Sequence, residues 1–226
     1  MPKPYFWSPL LLQKLIWVPT RIILFLFGHF RVRGLENLVS IGSNAIFACN
    51  HTSELDPILL PAALPFWSRF SPIFYTSRQE SFYTNSGWRR HFYGGTFFKI
   101  WGAYPVFGGL QDYEKSLTHH LAIVGDGGSL CIYPEGRITP DGNVQPAKGG
   151  VAFLAHATKV PIVPVRLDGA YRIGLAGFLS GKRRLTVTFG KPFLVDQVLG
   201  PNPSIEELKV VANQVMGLNT ELMVKS

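Results

Sequence analysis

The polar residues best suited to proton transfer stand together in Asn50-His51-Thr52-Ser53-Glu54-Leu55-Asp56-Pro57, directly after the apolar run Ala45–Cys49. Histidine gains and loses a proton near neutral pH, so His51 is a candidate general base. Asp56 can fold back across the turn, fix the second ring nitrogen and stabilise the imidazolium as it forms. The same Asp-Pro step also reads as a helix N-cap followed by a first-turn proline, and both readings stand at this level. A second polar group, Tyr133-Pro134-Glu135-Gly136-Arg137-Ile138-Thr139, follows another apolar run. There Gly136 lets backbone approach a ligand and Arg137 offers a planar fork for phosphate. Pro, Asp and Gly are equally the residues of an ordinary turn with a surface ion pair. Lys148-Gly149-Gly150 opens a further helix, and such an N-terminus attracts anions.

Other chemistries find less support. The nearest approach to G-x-S-x-G, Gly127-Gly128-Ser129-Leu130-Cys131, lacks the final glycine, and there is no Walker loop or complete G-x-G-x-x-G fingerprint. Cys49 and Cys131 each lie in an apolar run and read as small buried hydrophobes. No Cys-x-x-Cys pair or Cys/His cluster points to a disulfide framework or a metal site. His119-His120 read as a solvated helix edge, and Arg89-Arg90-His91 and Lys182-Arg183-Arg184 as solvated faces or contacts with lipid phosphate.

Both polar groups occupy the carboxyl end of a predicted strand, where α/β sheets collect their functional residues. Ala45–Cys49, Pro72–Thr76, Ala103–Phe107, Ser129–Tyr133, Ile162–Val165 and Leu185–Phe189 predict strands that alternate with amphipathic stretches. Leu110, Tyr113, Leu117, Leu121 and Val124 predict a helix stopped by Gly125 and Gly127, and Gly149–Thr158 a shorter one. Pro203-Ser204-Ile205-Glu206-Glu207 is a capping box, opening a helix whose apolar face is Ile205, Leu208, Val211, Val215, Leu218 and Leu222. At 226 residues this is one domain, and 46% apolar against 16% charged residues excludes disorder, collagen and coiled coil. The net charge of +8 suits a polyanion, and aromatic residues crowding the N-terminal half favour lipid over nucleic acid.

Leu15–Phe30 is a sixteen-residue apolar segment interrupted by Pro19 and Arg21. As a helix it would span about 24 Å, short of the roughly 30 Å of a bilayer core, and no small-x-small cleavage site follows it. Trp7, Trp17, Lys14 and Arg21 among Leu, Ile and Phe fit helices lying in the membrane interface, the alternatives being a hairpin packed on the protein's own core or a tilted or re-entrant insertion. The expected organisation is residues 1–30 as interfacial helices and residues 31–226 as the main domain.

Four blocks then carry a resemblance, in order: Asn50-His51 through Asp56, Gly102-Ala103-Tyr104-Pro105-Val106, Tyr133-Pro134-Glu135-Gly136, and Val160-Pro161-Ile162-Val163-Pro164-Val165. Over about residues 31–195 the chain resembles the glycerolipid acyltransferases, the family that includes lysophosphatidic acid acyltransferase. The resemblance implies an α/β domain with a central mixed sheet flanked by helices. It implies transfer of a fatty acyl group from acyl-CoA or acyl carrier protein to a hydroxyl of a lysophospholipid, without metal or cofactor. The expected location is monotopic, on the cytoplasmic face of a membrane. On the resemblance His51 is the base, Asp56 holds it, and Glu135, Gly136 and Arg137 belong to acceptor binding; Asn50, Arg78 and Lys148 are further candidates for substrate binding, the last two as cations. Two departures stand out. Gly108 occupies a position where many members have a phosphate-binding arginine, and Arg137 follows Gly136 directly where Glu-Gly-Thr-Arg is common. A lipid-binding protein of the same fold without turnover, or a (thio)esterase using water, are the alternatives.

Overall fold

A computed structural model of the chain describes residues 6–78, 95–108 and 112–223. It opens with α1 (Trp7–Gly28) and β1 (Arg31–Arg33), followed by β2 (Ile46–Cys49), α2 (Asp56–Ala63), β3 (Ile73–Ser77), α3 (Gly95–Trp101) and β4 (Ala103–Pro105). Then come α4 (Tyr113–Ser116), α5 (Thr118–Gly125), β5 (Ser129–Ile132), α6 (Gly150–Thr158), β6 (Ile162–Asp168), α7 (Leu175–Leu179), β7 (Thr186–Phe189) and α8 (Ile205–Glu221). Arg89-Arg90-His91 and Leu110 lie outside the described residues.

The seven strands form one mixed sheet in the order β1-β7-β6-β2-β5-β3-β4, antiparallel only between β6 and β7. All six expected strands form. β6 runs three residues further than expected because its far end, Val165 to Asp168, pairs with β7. Alternation along each strand divides the core in two. Phe47 and Cys49 face one layer with Leu24 of α1 and Leu59 of α2; Ile46 and Ala48 face the other with Ile123, Leu154 and Val211. Cys49 and Cys131 are buried free thiols with sulfurs 3.6 Å apart.

Three elements differ from expectation. The helix expected over residues 110–124 breaks at Leu117 (φ −115°, ψ 20°), so the second half is rotated and buries His120, Ile123 and Val124. His120 is fully buried instead of solvated, and burial, helped by the neighbouring His119, depresses its imidazole to a pKa of about 4. The capping box of α8 forms as expected, Ser204 and Glu207 bonding reciprocally. Its buried face, however, is Leu208, Val211, Ala212, Val215, Met216 and Asn219, with Ile205 and Leu218 exposed. Asn219 donates to Val165 O at 2.6 Å, tying the helix to β6.

The N-terminal segment is one helix of 22 residues passing through Pro19, about 33 Å long, where interrupted helices were expected. It is long and apolar enough to cross a bilayer. Yet it is inverted relative to an ordinary surface helix. Trp7, Leu11, Leu15, Ile22, Phe25 and Leu26 are each more than half exposed. The inward stripe instead uses polar groups at four-residue spacing: the Gln13 side chain donates to Ile73 O (2.7 Å) and accepts from Ile73 N (2.9 Å). Trp17 Nε1 donates to Leu64 O (3.0 Å) and Arg21 Nη1 to Ala62 O (3.2 Å).

Candidate active site

β2 is central, flanked by β5 and β6, and the chain leaves its carboxyl end through Asn50 and His51. Asn50 is buried and clamps β6, its amide donating to Leu167 O (2.9 Å) while its oxygen accepts from Leu167 N (2.7 Å). This fixes the backbone at the point where His51 turns out of the sheet, and leaves the Asn50 side chain committed to the fold.

His51 Nδ1 lies 2.9 Å from Asp56 Oδ2. A carboxylate only accepts, so Nδ1 is the donor and Nε2 is the ring nitrogen left as a base. Asp56 is fully buried, and its Oδ2 also accepts from Thr52 N (2.6 Å) and Ser53 N (2.9 Å), with the Thr52 hydroxyl on Oδ1 at 3.2 Å. The carboxylate therefore turns back over the preceding loop. Asp56 is the first residue of α2, Leu55 holds the cap position, and no side chain caps that helix. Tyr133 closes the other side of the imidazole, its ring stacked 4.1 Å away at 20°. That contact was not foreseen: Tyr133 stands in the Tyr-Pro-Glu-Gly motif, but strand ends commonly carry aromatic residues, which hid its role.

Glu135 ties the second motif to the first. Its Oε1 accepts from His51 N (2.9 Å) and its Oε2 from Gln145 N (2.8 Å), so both oxygens serve backbone. The carboxyl is 4% exposed, and burial raises its pKa, against the opposing pull of those amides and the charges of His51 and Arg166. Arg166 is itself buried and paired with Asp168 at 2.8 Å. The next residue, Gly136, has φ +71°, and a Cβ there would come 3.0 Å from Lys148 Nζ. Arg78 Nη2 donates to Gly136 O at 3.4 Å. Arg78 and Lys148 thus converge on the turn beside the dyad, and Arg137 is exposed next to them. At the start of α6, Gly149 N donates to the Tyr113 hydroxyl at 3.1 Å. Gly108 is open, since a Cβ there would meet nothing within 4 Å. Among the described residues no three His, Cys, Asp or Glu are grouped to hold a metal ion. A cleft of about 550 Å³ lies at the opposite end of the sheet, lined by Asn37, Ile41, Pro161 and Lys191, and contains none of these groups.

A family model described as Acyltransferase matches residues 29–168, which is more than half of the chain and includes the dyad and the Glu135 turn. The chain belongs to this acyltransferase family. A protein of Mycoplasma pneumoniae named as a probable 1-acyl-sn-glycerol-3-phosphate acyltransferase is 28% identical over 144 residues, 62% of this chain and 48% of that relative. The chloroplastic 1-acyl-sn-glycerol-3-phosphate acyltransferase BAT2 of Brassica napus is 28% identical over 153 residues, 66% of this chain and 41% of the relative. The matched part thus spans less than half of each. The crystal structure of the 1-acyl-sn-glycerophosphate (LPA) acyltransferase PlsC from Thermotoga maritima superimposes with a TM-score of 0.64 at 19% identity, covering 95% of this chain and 83% of PlsC. That likeness establishes a shared fold.

Proposed function

We propose that the protein transfers a fatty acyl group from a thioester, acyl-CoA or acyl carrier protein, to a hydroxyl of a lysophospholipid. The observation that carries the reading is the His51–Asp56 pair at the carboxyl end of the central strand, in a chain of the acyltransferase family. The acceptor hydroxyl gives its proton to His51 Nε2 as its oxygen attacks the thioester carbonyl. The tetrahedral adduct collapses with cleavage of the C–S bond, and the leaving thiolate takes the proton back. Asp56 and the Tyr133 ring hold the imidazole in plane throughout. Asn50 and Glu135 act as positioning residues, since their polar atoms are spent on backbone. Arg78, Arg137 and Lys148 supply positive charge for the acceptor phosphate.

The inverted α1 supports a monotopic attachment, with residues 1–30 supplying the membrane face and residues 31–226 the catalytic body. A helix hydrogen-bonded lengthwise to its domain through Gln13, Trp17 and Arg21 lies along the bilayer surface, and its outer apolar stripe is what such a surface takes up. Trp67, 87% exposed beside Lys14, extends the same face. The side is the cytoplasmic one, where acyl thioesters are made.

The test is incubation of the purified protein with labelled acyl-CoA or acylated carrier protein and a panel of lysolipids, read by mass spectrometry. An acylated phospholipid is expected, and His51→Ala should lower its formation roughly 10²- to 10⁴-fold with circular dichroism unchanged. Free fatty acid as the sole product would make the protein a thioesterase. Lipid binding with no product would make it a non-catalytic relative.

A further inference from the structure

The stretch 169–195 contains Arg172, Lys182, Arg183, Arg184 and Lys191 and no Asp or Glu. Within it, α7 buries no residue, and Leu175 (75%) and Leu179 (50%) are exposed. The short helix is nevertheless held in place. Its Phe178 ring lies 6.0 Å from Phe27 of α1, and His29 at the end of α1 makes a 2.8 Å hydrogen bond with Gly181 O. Gly181, at φ +65°, then turns the chain directly into Lys182-Arg183-Arg184. All three cations are exposed, and among the described residues none is ion-paired with an acid. Arg183 Nη1 donates to Tyr171 O at 2.8 Å, which anchors the run to the residues that precede α7.

Two exposed leucines and three unpaired cations are therefore fastened to the carboxyl end of α1, the helix that exposes Ile22, Phe25 and Leu26. We infer that α7 and Lys182-Arg183-Arg184 form a second membrane contact, one that recognises anionic lipid. Leu175 and Leu179 enter the headgroup layer next to the outer stripe of α1, and the three cations engage lipid phosphates. The inference rests on the reading of α1 as an interfacial helix. Charge complementarity and continuity with that stripe decide the occupant. A nucleic acid would use the cations and leave the adjoining leucines in water, whereas an anionic bilayer satisfies both. Each cation near such a surface strengthens binding about five-fold, and the gain is screened by salt.

The experiment is co-sedimentation of the full chain with vesicles of phosphatidylcholine alone and of an equal mixture of phosphatidylcholine and phosphatidylglycerol. The parent chain is expected to bind both and to prefer the mixture, less so at high salt. Lys182→Gln/Arg183→Gln/Arg184→Gln should keep the neutral binding and lose the preference, roughly a hundred-fold. Lys182→Gln/Arg184→Gln, which spares the Arg183 hydrogen bond, should lose about 25-fold. Leu179→Cys carrying a nitrobenzoxadiazole label should shift its emission to the blue on the mixed vesicles, the native thiols being fully buried. An unaltered preference in both variants, or an unshifted label on sedimented protein, overturns the second contact and leaves α1 standing. A parent chain that sediments with neither vesicle overturns both, and a short DNA duplex that displaces bound protein from the mixed vesicles assigns the cations to nucleic acid instead.

Discussion

Asp56 Oδ2 takes three N–H groups at once, from the His51 ring and from the amides of Thr52 and Ser53. An asparagine oxygen can still accept from the two amides, but it brings no anion to hold an imidazolium. Asp56→Asn should therefore lower kcat roughly 10²- to 10⁴-fold. It should also cost about 1–3 kcal/mol of stability, because a buried set of donors loses a charged acceptor. Full activity in that variant, measured beside its denaturation midpoint, would leave Asp56 a role in the loop alone. Gly108 sets a different test. A Cβ at this position meets nothing within 4 Å, so the first atom of an arginine in Gly108→Arg has room. Lacking that arginine, the native chain is expected to favour a lysolipid whose phosphate is a diester with one charge. The variant should move the ratio of kcat/KM toward lysophosphatidic acid by about tenfold or more, the worth of a charge-assisted hydrogen bond. A native preference for lysophosphatidic acid would mean that Arg78, Arg137 or Lys148 already replaces the missing contact.

Among the elements, α5 carries a pH dependence in His120. Its imidazole is depressed from 6.5 to about 4 in the folded chain. Above pH 6.5 it is neutral in both states and contributes nothing. As pH falls from 6.5 toward 4, the unfolded chain takes up a proton that the folded chain refuses, so stability declines by about 3 kcal/mol in total. Urea denaturation at several pH values should show this slope in the native chain and a flatter one in His120→Leu. The same helix marks the limit of what periodicity reveals. Leu117, Leu121 and Val124 gave the right location, but a break at Leu117 turned the buried face toward His120. In α8 the apolar spacing and capping box were legible, while Asn219 was not, because its burial depends on two carbonyls brought by distant strands. The dyad was legible because His51 and Asp56 are separated by a single turn. The stapling by Glu135 was not, since it requires β2 and β5 to be neighbours.

At the scale of the whole molecule, the outer stripe of α1 is an apolar feature that the domain itself does not use. Leu11→Gln/Leu15→Gln/Phe25→Gln should leave the denaturation midpoint nearly unchanged, because all three side chains are already exposed. It should weaken vesicle binding about tenfold per side chain, and unchanged sedimentation would place the membrane contact elsewhere. Deleting the helix is a poorer experiment, since it removes the Gln13, Trp17 and Arg21 hydrogen bonds and takes Leu24 from the core. The sheet also closes in an unusual order in time. β1 follows α1 directly but pairs only with β7, about 150 residues later in the chain. At the pace of synthesis, that strand reaches the edge of the sheet roughly 8 to 30 s after its partner. During that interval the outer stripe of α1 is exposed, as it stays in the finished fold, and β1 lacks its partner. A bilayer that took up the helix would then serve as a chaperone, sheltering α1 until β7 is there to pair with β1.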